Sequence, residues 1–397
     1  MPVFVAGLGA ISGIGNNVAE CLHSLQESRH GIAPMVYLQS EHRNRLPVAE
    51  VKLSNSELAQ LTGLPVHISR TALLSLVAAK EAFLDAGLPS GFPCRKAFVS
   101  ANSVGGMDKT ENFFPAFAAN HEAGHLREVI HHECGAISEI VAKELGVTDF
   151  VSTISTACSS SANAIFYGAR LIKNDLADVV IAGGCDSLTK FTLNGFNTLM
   201  ILDENPCQPF DENRRGLNLG EGAGYIVLVS EKIAGMLHRM PKAVLSGYAN
   251  ANDAYHQTAS SPDGTGSFLA MTGALKMAGL HPEEIDYINL HGTGTQNNDI
   301  AEGTAIQRIF SNPYPLMSST KSFTGHTLGA CGGLEAVFSV LSLQHGIVFP
   351  NLRLETPMKE LPFTPVTRFK SGISLQHVMS NSFGFGGNCS SLIFSKS

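Results

Sequence analysis

Apolar runs of five to seven residues alternate along the chain with longer stretches whose apolar positions recur at helical spacing. AFVSA (97–101), DVVIAGG (178–184), YIVLV (225–229) and IDYINL (285–290) are almost wholly apolar. Such runs predict strands covered on both faces. Between them lie stretches such as SRTALLSLVAAKEAFLDAG (69–87), whose apolar spacing predicts a helix with one buried face. Strand–helix alternation predicts an α/β fold layered around buried sheets. No long linker or low-complexity stretch interrupts it.

The pattern repeats faintly. The helix ending KEAFLDAGL (80–88) leads to AFVSA, and the helix ending GALKMAGL (273–280) leads to IDYINL. GEGAGYIVLV (220–229) pairs in the same way with GFGGNCSSLIF (384–394), each a Gly-rich turn running into an apolar strand. At 397 residues the chain is too long for one ordinary core, and a duplicated βα unit accounts for the length. The polar connector EKIAGMLHRMPK (231–242) places the seam near residue 240, dividing the chain into halves 1–240 and 241–397. The opening GLGAISGIG resembles a dinucleotide fingerprint, but Ser12 stands where the third glycine is required and no acidic residue is placed for a ribose. It is read as a strand-to-helix turn.

Composition narrows the partners. A net charge of −7 disfavours nucleic acid, which wants a basic footprint, while leaving room for a local basic patch that meets an acidic carrier protein. No apolar run reaches membrane-spanning length, so no membrane insertion is expected. The N-terminus lacks the basic region of a signal peptide. The eight cysteines form no CxxC pair, which predicts neither a zinc site nor a disulfide framework but reduced thiols in the cytoplasm.

Four segments carry candidate chemistry. In ISTACSSSANAIFYGARLIKN (154–174), Cys158 precedes a buried helical pattern. The positive end of that helix would favour thiolate, and nearby backbone N–H groups would suit an oxyanion; the alternative is an ordinary buried cysteine. In YINLHGTGTQNND (287–299), His291 ends an apolar strand, where α/β sheets place their ligands, with Thr293 and Thr295 following; the alternative is a turn-capping His. In SSTKSFTGHTLGACGGLEAVFSVLSLQHG (318–346), Lys321 and His326 stand in a small-residue turn and Glu335 lies within an apolar helix. That pattern suggests a partly buried ionic network, against a surface Lys and a solvated Glu. In VMSNSFGFGGNCSSLIF (378–394), Phe383 and Phe385 flank glycines, as in a mobile gate, or else are two core aromatics beside a bulge.

Together these segments resemble the elongating, Cys–His–His branch of the β-ketoacyl-acyl carrier protein synthases. The similarity spans nearly the whole chain, through TACSSS, HGTGT, KSFTGHTLGACGG, Glu335, NDIAEG, GEGAG and NSFGFGG. It implies a thiolase-like fold of two duplicated halves in five αβαβα layers, usually dimeric with itself or with a homologous subunit. It implies that Cys158 takes an acyl group from a carrier thioester. His291 and His326 would bind the malonyl thioester carbonyl during decarboxylation, with Lys321 and Glu335 holding the pair. The N–H groups of Cys158 and Phe385 would form the oxyanion hole. Thr293 and Thr295 would contact the pantetheine arm, Val104 would line the acyl pocket, and Asp253 would sit on a loop that moves with the Phe383/Phe385 gate. Beyond the 4′-phosphopantetheine of acyl carrier protein, which carries the substrates, no cofactor or metal is implied.

The initiating synthases of this superfamily use Asn for one His, and thiolases use a second Cys; neither pattern is present. Chain-length-factor subunits lack the Cys, and decarboxylase-only homologues carry Gln there, so Cys158 separates this chain from both. It departs from the family at Asn388-Cys389, where Cys389 replaces an Asn expected to tie the gate turn. Residues 112–135 are also unusual, with His121, His125, His131 and His132, read as an exposed polar helix or a metal cluster. These departures point to a specialised synthase of the aryl-polyene or polyketide type, with a chain-length-factor-like partner, as the alternative to fatty acid synthesis.

Overall fold

The computed structural model describes residues 1–88 and 94–397. In the first half, β1 (Val3–Ser12) leads to α1 (Val18–Gln26), α2 (Asn55–Thr62) and α3 (Arg70–Asp85). Then come β2 (Lys96–Ala101), α4 (Met107–Ala119), α5 (Cys134–Glu144), β3 (Phe150–Ile154) and α6 (Ser160–Lys173). The half closes with β4 (Val179–Asp186), α7 (Lys190–Thr198), β5 (Gly222–Ser230) and α8 (Glu231–Ala234). The second half runs β6 (Ala243–Asn252), α9 (Thr265–Ala278), β7 (Tyr287–Asn289), α10 (Gln296–Ile309), β8 (Leu316–Ser318) and α11 (Lys321–Thr324). It ends with α12 (Cys331–His345), β9 (His377–Phe383) and β10 (Asn388–Ser395).

Strand order exposes the duplication. The strands lie as β3-β2-β4-β5-β1-β6-β10-β9-β7-β8. Counted within its own half, each set of five has the order 3-2-4-5-1, and the halves meet where Phe4 and Val5 of β1 pair with Val244 and Ala243 of β6. The repeats read from the sequence therefore correspond: β2 with β7, β5 with β10, and α3 with α9. In both halves the second, third and fourth strands of the unit run parallel, as βα crossovers require, and the fifth is antiparallel.

Five layers follow from the burial pattern. α6 and α12 touch strands of both halves, so they form the central helical layer. α3 and α5 cover the outer face of the first sheet, and α9 with α10 covers that of the second. The central layer is why α12 is covered on every side: thirteen of its fifteen residues are buried. α3 starts where Ser69 accepts a hydrogen bond from the Ala72 N–H, one residue after the start of the predicted pattern.

The opening GLGAIS is strand, not a turn. A Cβ on Gly9 would lie 1.9 Å from the Ala78 carbonyl oxygen, so glycine lets α3 press against β1. The segment 112–135 also differs from the expected polar helix: α4 ends at Ala119, and the chain beyond it exposes Leu126 and Ile130. Among the described residues no helix is long and apolar enough to cross a membrane.

Candidate active site

Cys158, His291, Thr293, Thr295 and His326 stand in turns beyond the carboxyl ends of strands, the rule for ligand sites in α/β sheets, while Lys321 lies in α11 and Glu335 within α12. Cys158 lies between β3 and α6, and His326 between β8 and α12, which are matching positions of the two copies. His291 follows β7, and Phe383 ends β9. Because α6 and α12 pack together in the central layer, the two turns before them meet, and the fold brings the nucleophile to the histidines. The Cys158 sulfur and one ring nitrogen each of His291 and His326 lie within 4.8 Å of one another. They line the floor of a cleft of about 400 Å³.

Cys158 sits on a strained turn. Ala157 before it adopts φ 54°, a left-handed conformation rare for a side-chain-bearing residue, and α6 begins two residues after it. Burial pushes the thiol up to about 11, against the Lys321 charge and the Phe385 N–H directed at the sulfur. The helix end was expected to favour thiolate; burial acts against it, toward the thiol.

Both imidazoles are held neutral. His326 Nδ1 accepts the Leu328 N–H at 3.0 Å, and His291 Nδ1 faces the Lys321 ammonium at 3.2 Å. Burial first, then the Lys321 charge, holds both rings well below the ordinary His range, and at His291 the neighbouring His326 ring adds to it. A neutral ring whose Nδ1 accepts must carry its proton on Nε2, so each ring has a donor left over. Lys321 in turn is bonded to Oε1 of Glu335. Burial lowers the Lys321 ammonium, but Glu335 more than offsets it, and burial pushes Glu335 up to about 7. The ionic network read from the sequence is thus fully buried.

Thr293 and Thr295 line the cleft with their hydroxyls 2.9 Å apart. The two phenylalanines differ. Phe383 is buried at the end of β9 with Ala270 and Cys389, its ring 5.8 Å from that of His291, so it packs as a wall in the strand rather than in the Gly-rich turn. Phe385 is half-buried in the Gly-rich turn and stacks on Phe196 of α7 at 5.6 Å. Asp253 clasps that turn: its N–H donates to the Gly387 carbonyl, and its carboxylate accepts the N–H groups of Tyr255 and Ser261. Val104 stands apart from the cleft, in the turn after β2, its N–H bonded to Asp186.

Several residues that matter were not singled out in the sequence. The side chain that ties the gate turn is Asn388, not its neighbour: its Oδ1 accepts from Ser159, Asn163 and Asn250 at 2.7–2.9 Å. Cys389 simply packs behind Phe383. Glu302 of α10 accepts the N–H groups of His291 and Gly292, and Asp299 accepts those of Thr293 and Gly294. Together they shape the whole HGTGT turn. The signal was present as two acids three apart on one helix face in NDIAEG. Asp186, pushed up to about 6 by burial, accepts from Ser103 and Gly329 and so joins the two halves. The histidines of 112–135 do not assemble: the metal-competent groups among the described residues are Cys158/His291/His326 and His291/Cys331/Glu335.

A cysteine and two neutral imidazoles where two copies of one βα unit converge define a thiolase-fold condensing enzyme. Residues 1–234 match the N-terminal domain, and residues 242–355 the C-terminal domain, of the beta-ketoacyl synthases; the chain belongs to that family. It is 32% identical to a 3-oxoacyl-[acyl-carrier-protein] synthase 2 of Staphylococcus aureus, over 99% of this chain and 98% of that one. It is 33% identical to nodulation protein E of Rhizobium meliloti, again over 99% and 98%. Among solved structures it is similar to the ishigamide ketosynthase/chain length factor, with TM-score 0.94, 29% identity and coverage of 100% and 99%. It is also similar to a ketosynthase in complex with its chain length factor from Xenorhabdus doucetiae, with TM-score 0.86, 30% identity and coverage of 100% and 98%.

Proposed function

We propose that this chain extends an acyl group held on Cys158 by decarboxylative Claisen condensation with malonyl-acyl carrier protein. The observation that carries the reading is the approach of the Cys158 sulfur to both His rings within 4.8 Å, at the floor of a cleft. Cys158 attacks the acyl thioester, and the N–H groups of Cys158 and Phe385 receive the oxyanion. The Nε2–H groups of His291 and His326 then bind the malonyl carbonyl oxygen. As carbon dioxide leaves, they stabilise the enolate without handing it a proton that would quench it. The enolate carbon attacks the acyl thioester, and the Cys158 sulfur departs. Thr293 and Thr295 guide the pantetheine arm, while Phe385 and the Asp253 loop close over it.

The partner is a second copy or a homologous subunit. β3 is an edge strand whose Phe150 and Val151 are exposed and whose residues carry no charge, the kind of edge that pairs with another chain. Similarity to two ketosynthases solved with chain length factors favours a second reading, in which this chain is the catalytic member of such a pair.

Intact mass after incubation with acyl-carrier thioesters of several lengths tests the reaction. An adduct is expected on the wild type and none on Cys158→Ala, with a 3-ketoacyl-carrier product once malonyl-carrier is added. Absence of transfer from every carrier, with and without a chain-length-factor subunit, overturns the assignment.

A further inference from the structure

The seam between α12 and the second sheet is polar where an apolar core is expected. Among the described residues, seven buried side-chain oxygens have no hydrogen-bond partner in the protein, and five belong to this seam: Glu335 Oε2 and the hydroxyls of Ser339, Ser342, Ser380 and Ser382. On α12, Glu335, Ser339 and Ser342 are spaced four and three apart and share one stripe. On β9, Ser380 and Ser382 alternate with Met379 and Asn381, so they share the face of Val378, which joins the central core against α12. The Ser382 hydroxyl lies 2.8 Å from where a Cβ on Gly332 would stand, at the start of α12. The other end of the stripe, Ser342, is one turn from exposed His345, where α12 ends. Glu335 to Ser342 spans about 10 Å along the helix. A row of lone buried oxygens is stable when ordered water bonds them.

The reaction supplies a use for such a row. Transfer of the acyl group to Cys158 is proton-neutral: the thiol hydrogen ends on the departing carrier thiol. Condensation is not. The malonyl carboxylate leaves as neutral carbon dioxide, the new carbon–carbon bond forms, the carbon–sulfur bond to Cys158 breaks, and the sulfur departs as thiolate. One proton from solvent must reach that sulfur in each turnover, while the carrier's arm fills the cleft.

Resting on the ketosynthase reading, we propose that the Glu335–serine seam holds a water chain that brings this proton to the active site from the C-terminal end of α12. The proton enters near His345, passes through the waters bonded to Ser342, Ser339, Ser382 and Glu335, and ends on the Cys158 sulfur. Charge balances, because the carboxylate lost its negative charge as carbon dioxide. Ser339, Ser342 and Ser382 act through water and are positioning residues.

The test separates the two half-reactions in Ser339→Val, whose methyls fill the seam, and in the milder Ser339→Ala/Ser342→Ala. Acylation of Cys158 is expected within twofold of wild type. Steady-state condensation is expected to slow about tenfold with a larger solvent deuterium isotope effect. Equal slowing of both steps, or unchanged condensation and isotope effect in folded variants, overturns the proposal. High-resolution diffraction of the wild type gives a second reading that needs no variant: ordered waters on Glu335 Oε2 and these hydroxyls support it, and a dry seam overturns it. Wild type that fails to acylate at all would instead sink the ketosynthase reading.

Discussion

At the residue scale, one buried ammonium organises the site. Lys321 faces His291 Nδ1 on one side and Glu335 on the other, and its charge helps keep both imidazoles neutral. The sign follows directly: a depressed His pKa means that the neutral, donating form persists below the pH at which a free His would protonate. Condensation by the wild type is therefore expected to stay level as pH falls through 6.5, the ordinary His value. Lys321→Met removes a positive neighbour, raises both His values, and should move the acid limb of the pH–rate profile toward neutrality. A loss of about tenfold is expected at the low end. Malonyl-carrier decarboxylation measured against pH checks this, and superimposable acid limbs would refute it. Lys321, His291, His326 and Glu335 were all visible in the sequence as ionisable groups among small or apolar neighbours. Which nitrogen carries the proton was not, because that depends on the Leu328 N–H and the Lys321 ammonium arriving in space.

At the element scale, two contacts set the geometry. The first is α10 under the HGTGT turn, where Asp299 and Glu302 receive four backbone N–H groups. The second is α12 against β5. A Cβ on Gly224 would lie 2.3 Å from the Leu334 nitrogen, one residue before Glu335. GEGAG matched the family in the sequence without a stated reason; the reason is the close approach of the central helix to the strand. Gly224→Ala is expected to destabilise the protein by about 1–3 kcal/mol through overpacking. It should also push α12 and Glu335 away from Lys321. Thermal unfolding together with condensation rate checks this, and an unchanged melting temperature would contradict it. The gate illustrates the opposite case. Phe383 and Phe385 look equivalent in NSFGFGG, yet one completes β9 as a packed wall while the other caps the cleft against Phe196. Strand alternation and the end of the β9–β10 pairing separate them, and neither is local to the motif.

At the scale of the whole molecule, duplication places the chemistry. Cys158 and His326 occupy matching turns of two copies of one unit, and the packing of α6 on α12 turns that symmetry into a site. The outer margin is less complete. β3 offers an unpaired edge with exposed Phe150 and Val151, and exposed Phe114, Leu126 and Ile130 add to the apolar surface of the first half. Val104, expected in the acyl pocket, does not line the cleft of this single chain. A charge on the edge should block pairing: Val151→Lys is expected to shift the protein, or its complex with a homologous subunit, to monomer by light scattering. Assembly that survives in that variant would place any interface elsewhere.

The sequence by itself determined the α/β alternation and the repeat and marked Cys158, His291, His326, Lys321 and Glu335 as candidates, because each is written in local periodicity or in a short run of residues. It did not determine the state of the Cys158 thiol, the tautomers of the histidines or the different duties of Phe383 and Phe385. Nor did it show the tie made by Asn388 or the row of lone oxygens between α12 and β9. Those were decided by the tertiary structure, because burial, charge and hydrogen bonding at each position are set by segments far away in the chain that only the packed layers bring together.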